Sequence, residues 1–334
     1  MNRKDRVLAA LNHNDCTPIS YNLDFTEQAH NIMKNHLNDE HFEQKTGRCL
    51  NGVQYCGWPT ETENKGYYKD AFGVVWNRNG ADKDIGVIDS VLIPELENNT
   101  YVFPPVDEKR LRKEFQNLIL NKQDMFTFAG IGFSMFERSW SLCGMEGVLI
   151  GMISEPEALH KLYDQICDYN LKVIDIALEY DIDGFYFGDD WGQQKGLIMG
   201  PGLWREFIKP RMKKMYAKVK NAGKYVLQHS CGDIEEIFPD LIEIGLDCYQ
   251  TFQPEIYDIQ KIKETFGGKL TFWGGISTQR LLPFETPEKV KEETQRIIDI
   301  MKKSGGYIAA PTHALTHDIP PENIIAMLEV FKAN

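Results

Sequence analysis

The feature that most constrains this 334-residue chain is a pattern run through five times in its second half: a short β-branched or aromatic run, a loop of Gly, Asp, His or Pro, then a long amphipathic stretch. Strands are expected at 184–188, 225–229, 247–252, 270–274 and 307–311, each just past a helix ending such as Asn221-Ala222-Gly223 or Ser304-Gly305-Gly306. Strands joined through helices run parallel, because each helix has to cross back over the sheet. Five such units in succession are hard to arrange except in a barrel. Upstream, 125–133 and 19–24 read as two more strands, the second following an N-terminal helix that ends near Asn12-His13-Asn14, which brings the strand count near eight. The expected fold is therefore α/β, a (β/α)8 TIM barrel.

The helix starts support the same register. Ser154-Glu155-Pro156-Glu157 reads as a capping box with proline in the first turn, and Thr286-Pro287-Glu288 opens a helix running to about Lys303. Residues of about 50–110 fit the repeat poorly: Asp70-Ala71-Phe72-Gly73-Val74-Val75-Trp76 alternates like a β-ribbon, and Phe103-Pro104-Pro105-Val106 reads as a loop. The organisation expected is a single barrel domain over 1–334 with an insertion or cap at about 50–110.

Composition narrows the partners. Acidic side chains outnumber basic ones 49 to 37, and the net charge of -12 opposes binding to nucleic acid or an anionic membrane. The 7 cysteines are odd in number and lack any C-x-x-C pair, which argues against a disulfide framework or a zinc ribbon. The start, Met1-Asn2-Arg3-Lys4-Asp5-Arg6, leads into an amphipathic segment rather than a signal-peptide core, so a cytoplasmic location is expected.

In such barrels the loops after the strands build the active-site face. Here they carry Gly188-Asp189-Asp190-Trp191-Gly192, His229-Ser230-Cys231-Gly232, Gln250-Thr251-Phe252-Gln253 and Pro311-Thr312-His313. His-x-Cys at a strand end can present an imidazole nitrogen and a thiolate sulfur on one side of a turn, which suits zinc. Taken alone, that motif more often marks a hydrogen-bonded histidine beside a buried thiol. His313, far along the chain, shifts the balance toward a metal held by His229, Cys231 and His313. Asp189 and Asp190 are candidates either for capping and turn roles or for catalytic work on protons, substrate or an orienting bond to a ligand histidine. Trp191, Phe252 and Trp273 at strand ends, with Phe133, Phe136 and Trp140 after the early strand, could wall an apolar pocket, although core packing accounts for most of them equally well. Trp191, Gln250, Gln253, Phe133 and Trp273 are taken as the substrate-binding candidates.

These residues together resemble the uroporphyrinogen decarboxylase superfamily, and in particular its cobalamin-dependent methyltransferase branch. The likeness rests on Arg6-Val7-Leu8-Ala9-Ala10-Leu11-Asn12-His13, Phe72-Gly73-Val74-Val75-Trp76, Gly188-Asp189-Asp190-Trp191-Gly192, His229-Ser230-Cys231-Gly232-Asp233, Trp273-Gly274-Gly275-Ile276-Ser277-Thr278-Gln279 and Pro320-Pro321-Glu322-Asn323, and it covers most of the chain. It implies a distorted (β/α)8 barrel and, in the methyltransferase branch, zinc bound through a His-x-Cys motif and a distant C-terminal cysteine. Carried across, this implicates His229 and Cys231. Where the family often reads Pro-Gly-Cys, this chain reads Pro311-Thr312-His313, so histidine stands in the third ligand's place, and Asp189, Asp190 or Glu206 could complete the shell.

The decarboxylase branch carries an Arg-rich signature after its first strand to hold a polycarboxylate substrate. The corresponding stretch here, Tyr21-Asn22-Leu23-Asp24-Phe25-Thr26-Glu27-Gln28, contains no arginine. The resemblance therefore implies a corrinoid-dependent methyltransferase. Its cobalamin would be carried by a separate corrinoid protein, zinc would serve as Lewis acid, and an acid such as Asp190 would help to polarise a methoxy oxygen or methylated amine. The competing readings are a uroporphyrinogen decarboxylase-like decarboxylase and a metal-free binding paralogue. Methyl donor, acceptor and direction of transfer are left open, as is the oligomeric state, a homodimer included.

Overall fold

The computed structural model describes residues 1–79 and 86–334. Eight strands form one sheet: β1 (Ser20–Tyr21), β2 (Leu50–Tyr55), β3 (Phe126–Ile131), β4 (Gly184–Gly188), β5 (Tyr225–His229), β6 (Cys248–Phe252), β7 (Thr271–Ile276) and β8 (Tyr307–Pro311). Their order, β1-β8-β7-β6-β5-β4-β3-β2, is sequential around a curled sheet, and every neighbouring pair is parallel. The two end strands meet through the Cys49 N–H, which donates to the Tyr21 carbonyl at 2.9 Å, so the sheet curls toward closure as a TIM-type barrel.

The strand sequences show why. β3, β4, β7 and β8 are buried along their whole length, as expected where one face meets the barrel interior and the other meets helices. Inward residues Leu50, Phe126, Phe128, Tyr186, Leu227, Cys248, Trp273 and Ile308 form an inner cluster. It is completed by Val7, Ala10 and Leu11 of α1 (Arg3–Leu11), an amphipathic helix capped by Asn2. Outward residues such as Phe185, Phe187, Val226, Tyr249 and Phe272 join the much larger cluster under the helices.

Sequence and structure part company at three places. The stretch expected as an insertion from about residue 50 begins with β2, a barrel strand paired with β3 from Leu50↔Phe126 to Tyr55↔Ile131. Its sequence, Leu-Asn-Gly-Val-Gln-Tyr, is half exposed and carries a glycine, because a Cβ on Gly52 would sit within 2.2 Å of the Phe128 ring. The inserted part proper is a four-stranded antiparallel sheet of Thr60–Glu61, Tyr67–Lys69, Val75–Asn77 and Val87–Ile88; residues 80–85 of the expected cap lie outside the described residues. The third difference is the capping box at Ser154. A helix over Met145–Ser154 runs right up to that position, and the Ser154 hydroxyl donates back to the Ile150 carbonyl at 3.1 Å. Entry into the next long helix relies on Pro156 at its first position, with no side-chain cap. By contrast, the Thr286 hydroxyl does accept from the Lys289 N–H at the start of the helix Pro287–Met301.

Among the described residues no helix is long and apolar enough to cross a membrane, and all seven cysteines are free thiols.

Candidate metal centre

β4 and β5 pair in register from Gly184↔Tyr225 to Gly188↔His229, which brings their following loops side by side. Those loops touch backbone to backbone: the Gly192 N–H donates to the Cys231 carbonyl at 3.2 Å, and the Asp233 N–H to the Gln193 carbonyl at 2.8 Å. Only glycine fits such an approach. A Cβ on Gly232, whose φ is +77°, would lie 2.3 Å from the Gly192 carbonyl carbon, and one on Gly192 would lie 2.6 Å from the Cys231 oxygen. This contact turns the loop back after His229 and sets Cys231 over the barrel mouth.

There the Cys231 Sγ is 3.6 Å from the His229 Nε2 and 3.3 Å from the His313 Nε2. The three donor atoms all fall within 4.8 Å of one another, and the two imidazole planes are nearly perpendicular at 86°. His313 arrives from the turn after β8, where the Thr312 N–H donates to the Ile276 carbonyl at 2.9 Å and the Thr312 hydroxyl bonds Thr278 at 2.9 Å.

Each ring nitrogen of His229 has a separate task. His229 and Gln250 are register partners on β5 and β6, and the Gln250 side-chain oxygen takes a short hydrogen bond from Nδ1. Tyr186 donates to that same oxygen at 2.9 Å, while the Gln250 amide group donates toward the Thr312 carbonyl at 3.4 Å. With Nδ1 thus occupied, Nε2 faces Cys231. Asp190 completes the corner: its Oδ1 accepts the Cys231 N–H at 2.8 Å and lies 3.3 Å from the His229 Nε2. Burial opposes charge on both groups, yet they support each other. Asp190 is held down to about 2 by His229 and the Cys231 N–H, whereas Tyr186, Asp190 and Cys231 push His229 well above the usual imidazole range. His313, crowded by protein and by the His229 ring, is pushed down to about 4.

The other residues singled out in the sequence divide clearly. Asp189 is fully buried and its carboxylate is spent on α2 (Phe136–Cys143), accepting the N–H groups of Met135, Phe136 and Glu137 at 3.1, 2.8 and 2.8 Å, with the Trp191 indole N–H at 2.5 Å. It caps a helix rather than facing the mouth. Trp191 itself is buried against Trp204 at 5.3 Å and forms no pocket wall. Gln253 is buried and accepts the Gly232 N–H at 3.1 Å, so it braces the loop that carries Cys231. Trp273 lies inside the barrel with Phe128 and Tyr186, forming the aromatic layer next to His229. Phe133 packs on Trp76 and Trp140 at the junction with the inserted sheet, and Phe252 is core. Glu206 is exposed and neighbours His160 at 3.7 Å, away from the cluster.

One residue escaped the sequence reading. Glu137, in the first turn of α2, gives its backbone N–H to the Asp189 Oδ1 at 2.8 Å, and burial together with the charges of Asp190 and Asp189 holds its carboxyl well above the usual carboxylate range. It follows Phe136 in a helix with no recognisable motif, and only the fold brings it to this corner.

The uroporphyrinogen decarboxylase (URO-D) family model matches residues 116–333, which include α2 and every strand from β3 to β8. The chain belongs to the uroporphyrinogen decarboxylase family. Among curated proteins, this family member is similar to the methylated-thiol--coenzyme M methyltransferase of Methanosarcina mazei, at 21% identity over 197 residues, covering 59% of this chain and 50% of that protein. It is also similar to the uroporphyrinogen decarboxylase of Pseudoalteromonas atlantica, at 23% identity over 185 residues, covering 51% and 46%. The chain thus spans about half the length of these curated relatives in the matches. Among solved structures, a methyltransferase from Methanosarcina mazei superposes with a TM-score of 0.75 at 17% identity, over 100% of this chain and 99% of that one, a likeness of fold.

Proposed function

We propose that this uroporphyrinogen decarboxylase family member is a methyltransferase that moves a methyl group between a small molecule and cobalamin carried by a separate corrinoid protein in the cytoplasm, with zinc held by His229, Cys231 and His313. The observation that carries the proposal is the spacing of the three donors. Zinc bonds of about 2.0–2.3 Å at tetrahedral angles put neighbouring donors about 3.3–3.8 Å apart. The two separations to Cys231, 3.3 and 3.6 Å, fall within that range, and all three donors lie within 4.8 Å of one another. Three protein ligands leave a fourth position for substrate, the arrangement of a catalytic rather than a structural zinc. The anchored Nδ1 of His229 is a second fit, because metal-bound histidines donate their other N–H to an oxygen that fixes the ring. The similarity to the methylated-thiol--coenzyme M methyltransferase of Methanosarcina mazei supports this reading.

Zinc bound there would supply Lewis acidity, polarising a methoxy oxygen or methylated amine, or favouring the thiolate of a thiol acceptor. The chain's own residues do the rest. Gln250 and Tyr186 hold the His229 ring, Asp190 and Gln253 hold the Cys231 loop, and the Trp273–Phe128–Tyr186 layer makes the floor apolar. A decarboxylase of polycarboxylate porphyrinogens would instead need cations converging on this mouth. The stretch after β1 supplies Asp24, paired with Arg48 at 3.2 Å, and no arginine of its own.

The test is metal analysis of protein expressed with zinc, followed by corrinoid absorbance during incubation with methoxyarenes, methylamines and thiols. About one zinc per chain is expected, lost in a folded His229→Ala/Cys231→Ala variant, together with interconversion of cob(I)alamin and methylcobalamin. Metal-free wild-type protein with unchanged corrinoid spectra would favour a non-catalytic binding paralogue and overturn the proposal.

A further inference from the structure

Between β2 and the His229–Cys231–His313 cluster, the inner wall of the barrel mouth is bare of side chains. Leu50 of β2, Phe128 of β3 and Tyr186 of β4 face the barrel interior, so alternation along the strands turns Gln54, Gly130, Gly132 and Gly188 inward above them. Gly188 is the register partner of His229, so the bare wall ends at the cluster. Gly130 is forced, since a Cβ there would lie 2.7 Å from the Tyr186 carbonyl oxygen. Gly132 and Gly188 are not. Neither has a positive φ, and an added Cβ would meet nothing nearer than 3.4 Å, the Cys56 Cβ in one case and the Gly132 Cα in the other. Backbone and packing would both admit a side chain, so the space is left for something the chain does not itself supply. Two independent observations show that this space is open and polar at its far end. Gln54, although on the inner face of a barrel strand, is exposed, its amide has no side-chain hydrogen bond among the described residues, and its Oε1 lies 3.9 Å from the Gly132 Cβ position. Below it, Phe128, Tyr186 and Trp273 keep 7, 6 and 5% of their surface open, whereas Phe126, Leu227, Cys248 and Ile308 of the same inner cluster keep none. The three rings are thus the floor of an open well.

We propose that Gln54 and the bare wall at Gly132 and Gly188 select an aryl methyl ether as the methyl donor. Its ring lies over the Phe128–Tyr186–Trp273 floor, its methoxy oxygen is at the cluster, and a neutral polar substituent bonds the Gln54 amide. The inference rests on the methyltransferase reading above and names the donor class of that same site. From Gln54 on β2 to His229 on β5 is three strand spacings, about 14 Å along the wall. A donor of a few atoms at the cluster would leave both wall and floor in water, whereas a substituted ring covers them. The substituent is neutral because the cation at this end is committed. Asn22 accepts the Leu50 N–H at 3.3 Å and donates to Asp24 at 3.0 Å, which sets that carboxylate, 60% exposed, beside β2. Arg48 pairs with Asp24 at 3.2 Å and with Glu43 at 3.8 Å, so an anionic substituent would meet an acid rather than a free guanidinium. Transfer breaks the O–CH3 bond with its pair left on the phenolate oxygen, which takes a proton from solvent, while the pair of the new bond to carbon comes from the reduced corrinoid acceptor.

The test compares 4-methoxyphenol, anisole, 4-methoxybenzoate, trimethylamine and dimethyl sulfide in two arms: calorimetric binding to protein expressed with zinc, and single-turnover methyl transfer to cob(I)alamin followed by absorbance. Of the three arenes, 4-methoxyphenol should bind most tightly. Gln54→Leu should weaken its binding by about tenfold, the worth of one hydrogen bond, and that of anisole far less. Gly132→Val should weaken all three arenes by about tenfold or more, with zinc content at the wild-type level. Gly132→Ala, whose methyl group fits without displacing protein atoms, should act in the same direction to a smaller degree and guards against a folding defect. Arene binding unchanged in all three variants overturns the assignment, as does faster transfer from trimethylamine or dimethyl sulfide than from any arene. Transfer from none of the five donors overturns the methyltransferase reading instead, while the binding arm still decides whether Gln54 and Gly132 line a site for aryl ethers.

Discussion

His229 reaches the site with one nitrogen already committed, and that commitment sets two expectations. Gln250 accepts from Nδ1 and is itself steadied by the Tyr186 hydroxyl, so it fixes both the tautomer and the tilt of the ring. Replacing Gln250 with Ala should weaken zinc binding by about 10–100-fold, as loss of an outer-shell partner does elsewhere, with little change in melting temperature. Competition titration with a chromogenic chelator measures this, and unaltered affinity would return Gln250 to the substrate-contacting role read from the sequence. The second expectation concerns pH. Tyr186, Asp190 and Cys231 outweigh burial and hold His229 well above the usual imidazole range, so the metal-free site keeps a proton that a metal has to displace. Apparent zinc affinity should therefore fall as pH drops through neutrality, by about tenfold per pH unit for each proton displaced, with measurable proton release on binding. At this scale the convergence of His229, Cys231 and His313 was legible, because His-x-Cys at a strand end and a later histidine are strong chemical types in a known place. The roles of Gln250 and Gln253 were not. Whether an amide contacts substrate or braces a neighbouring loop depends on strand register, and the His229↔Gln250 pairing becomes visible only when β5 and β6 lie side by side.

Elements separate the two roles that the sequence left open for Asp189. In the sequence Asp189 and Asp190 are equivalent, both at the end of β4. One peptide further along the chain reverses the direction of the side chain, so Asp190 faces Cys231 while Asp189 turns toward the first turn of α2. The segment before that turn, Gly132-Phe133-Ser134-Met135, offers the helix no side-chain cap of its own, so the cap comes from 54 residues away. Asp189→Ala should cost about 3–5 kcal/mol, since it orphans several buried N–H groups at once, whereas Asp189→Asn should cost less because one oxygen acceptor remains. Chemical denaturation measures both. A variant with unchanged stability but abolished turnover would show Asp189 to be catalytic after all. The same dependence on distant partners hid β2. Strands with both faces covered announce themselves as continuous apolar runs, as β4 and β8 do, but β2 is half exposed and gives up a side chain at Gly52 to the Phe128 ring. Its identity as a strand is fixed by its neighbour, and no periodicity in Leu-Asn-Gly-Val-Gln-Tyr carries that information.

Across the whole molecule, the inserted sheet and the loop after β4, which borders the His229–Cys231–His313 cluster, are tied to the same short helix. Arg138, one residue beyond Glu137, reaches from α2 to Asp70 at the edge of the insertion with an N–O distance of 2.8 Å, and both side chains are almost completely buried. Asp70 also accepts the N–H groups of Phe72 and Val74, so it closes the turn between two strands of the insertion, while the Arg138 guanidinium lies 3.8 Å over the Phe72 ring and donates to the Cys56 carbonyl at the end of β2. At the opposite end of α2 the Leu142 carbonyl accepts the N–H groups of Leu92 and Ile93 at 2.9 and 3.0 Å, while Asp189 holds the first turn and this ion pair the flank. Removing one partner of a buried pair strands the other charge, at a cost of about 3–5 kcal/mol, whereas replacing both with apolar groups of similar volume can be nearly neutral. Arg138→Met should therefore be strongly destabilising, and Arg138→Met/Asp70→Leu should recover part of the loss although Asp70 also serves the turn. The consequence for the site is separable from stability. Because Glu137 and Arg138 share a turn, loosening the pair should disturb the first turn of α2 and its contact with Asp189 before it reaches His229, Cys231 or His313, which lie at the end of β5 and in the loops after β5 and β8. Folded Arg138→Met protein at low temperature should then bind zinc as wild type does in a chelator competition titration, whereas loss of zinc would show that the insertion supports the loops after β5 and β8 directly.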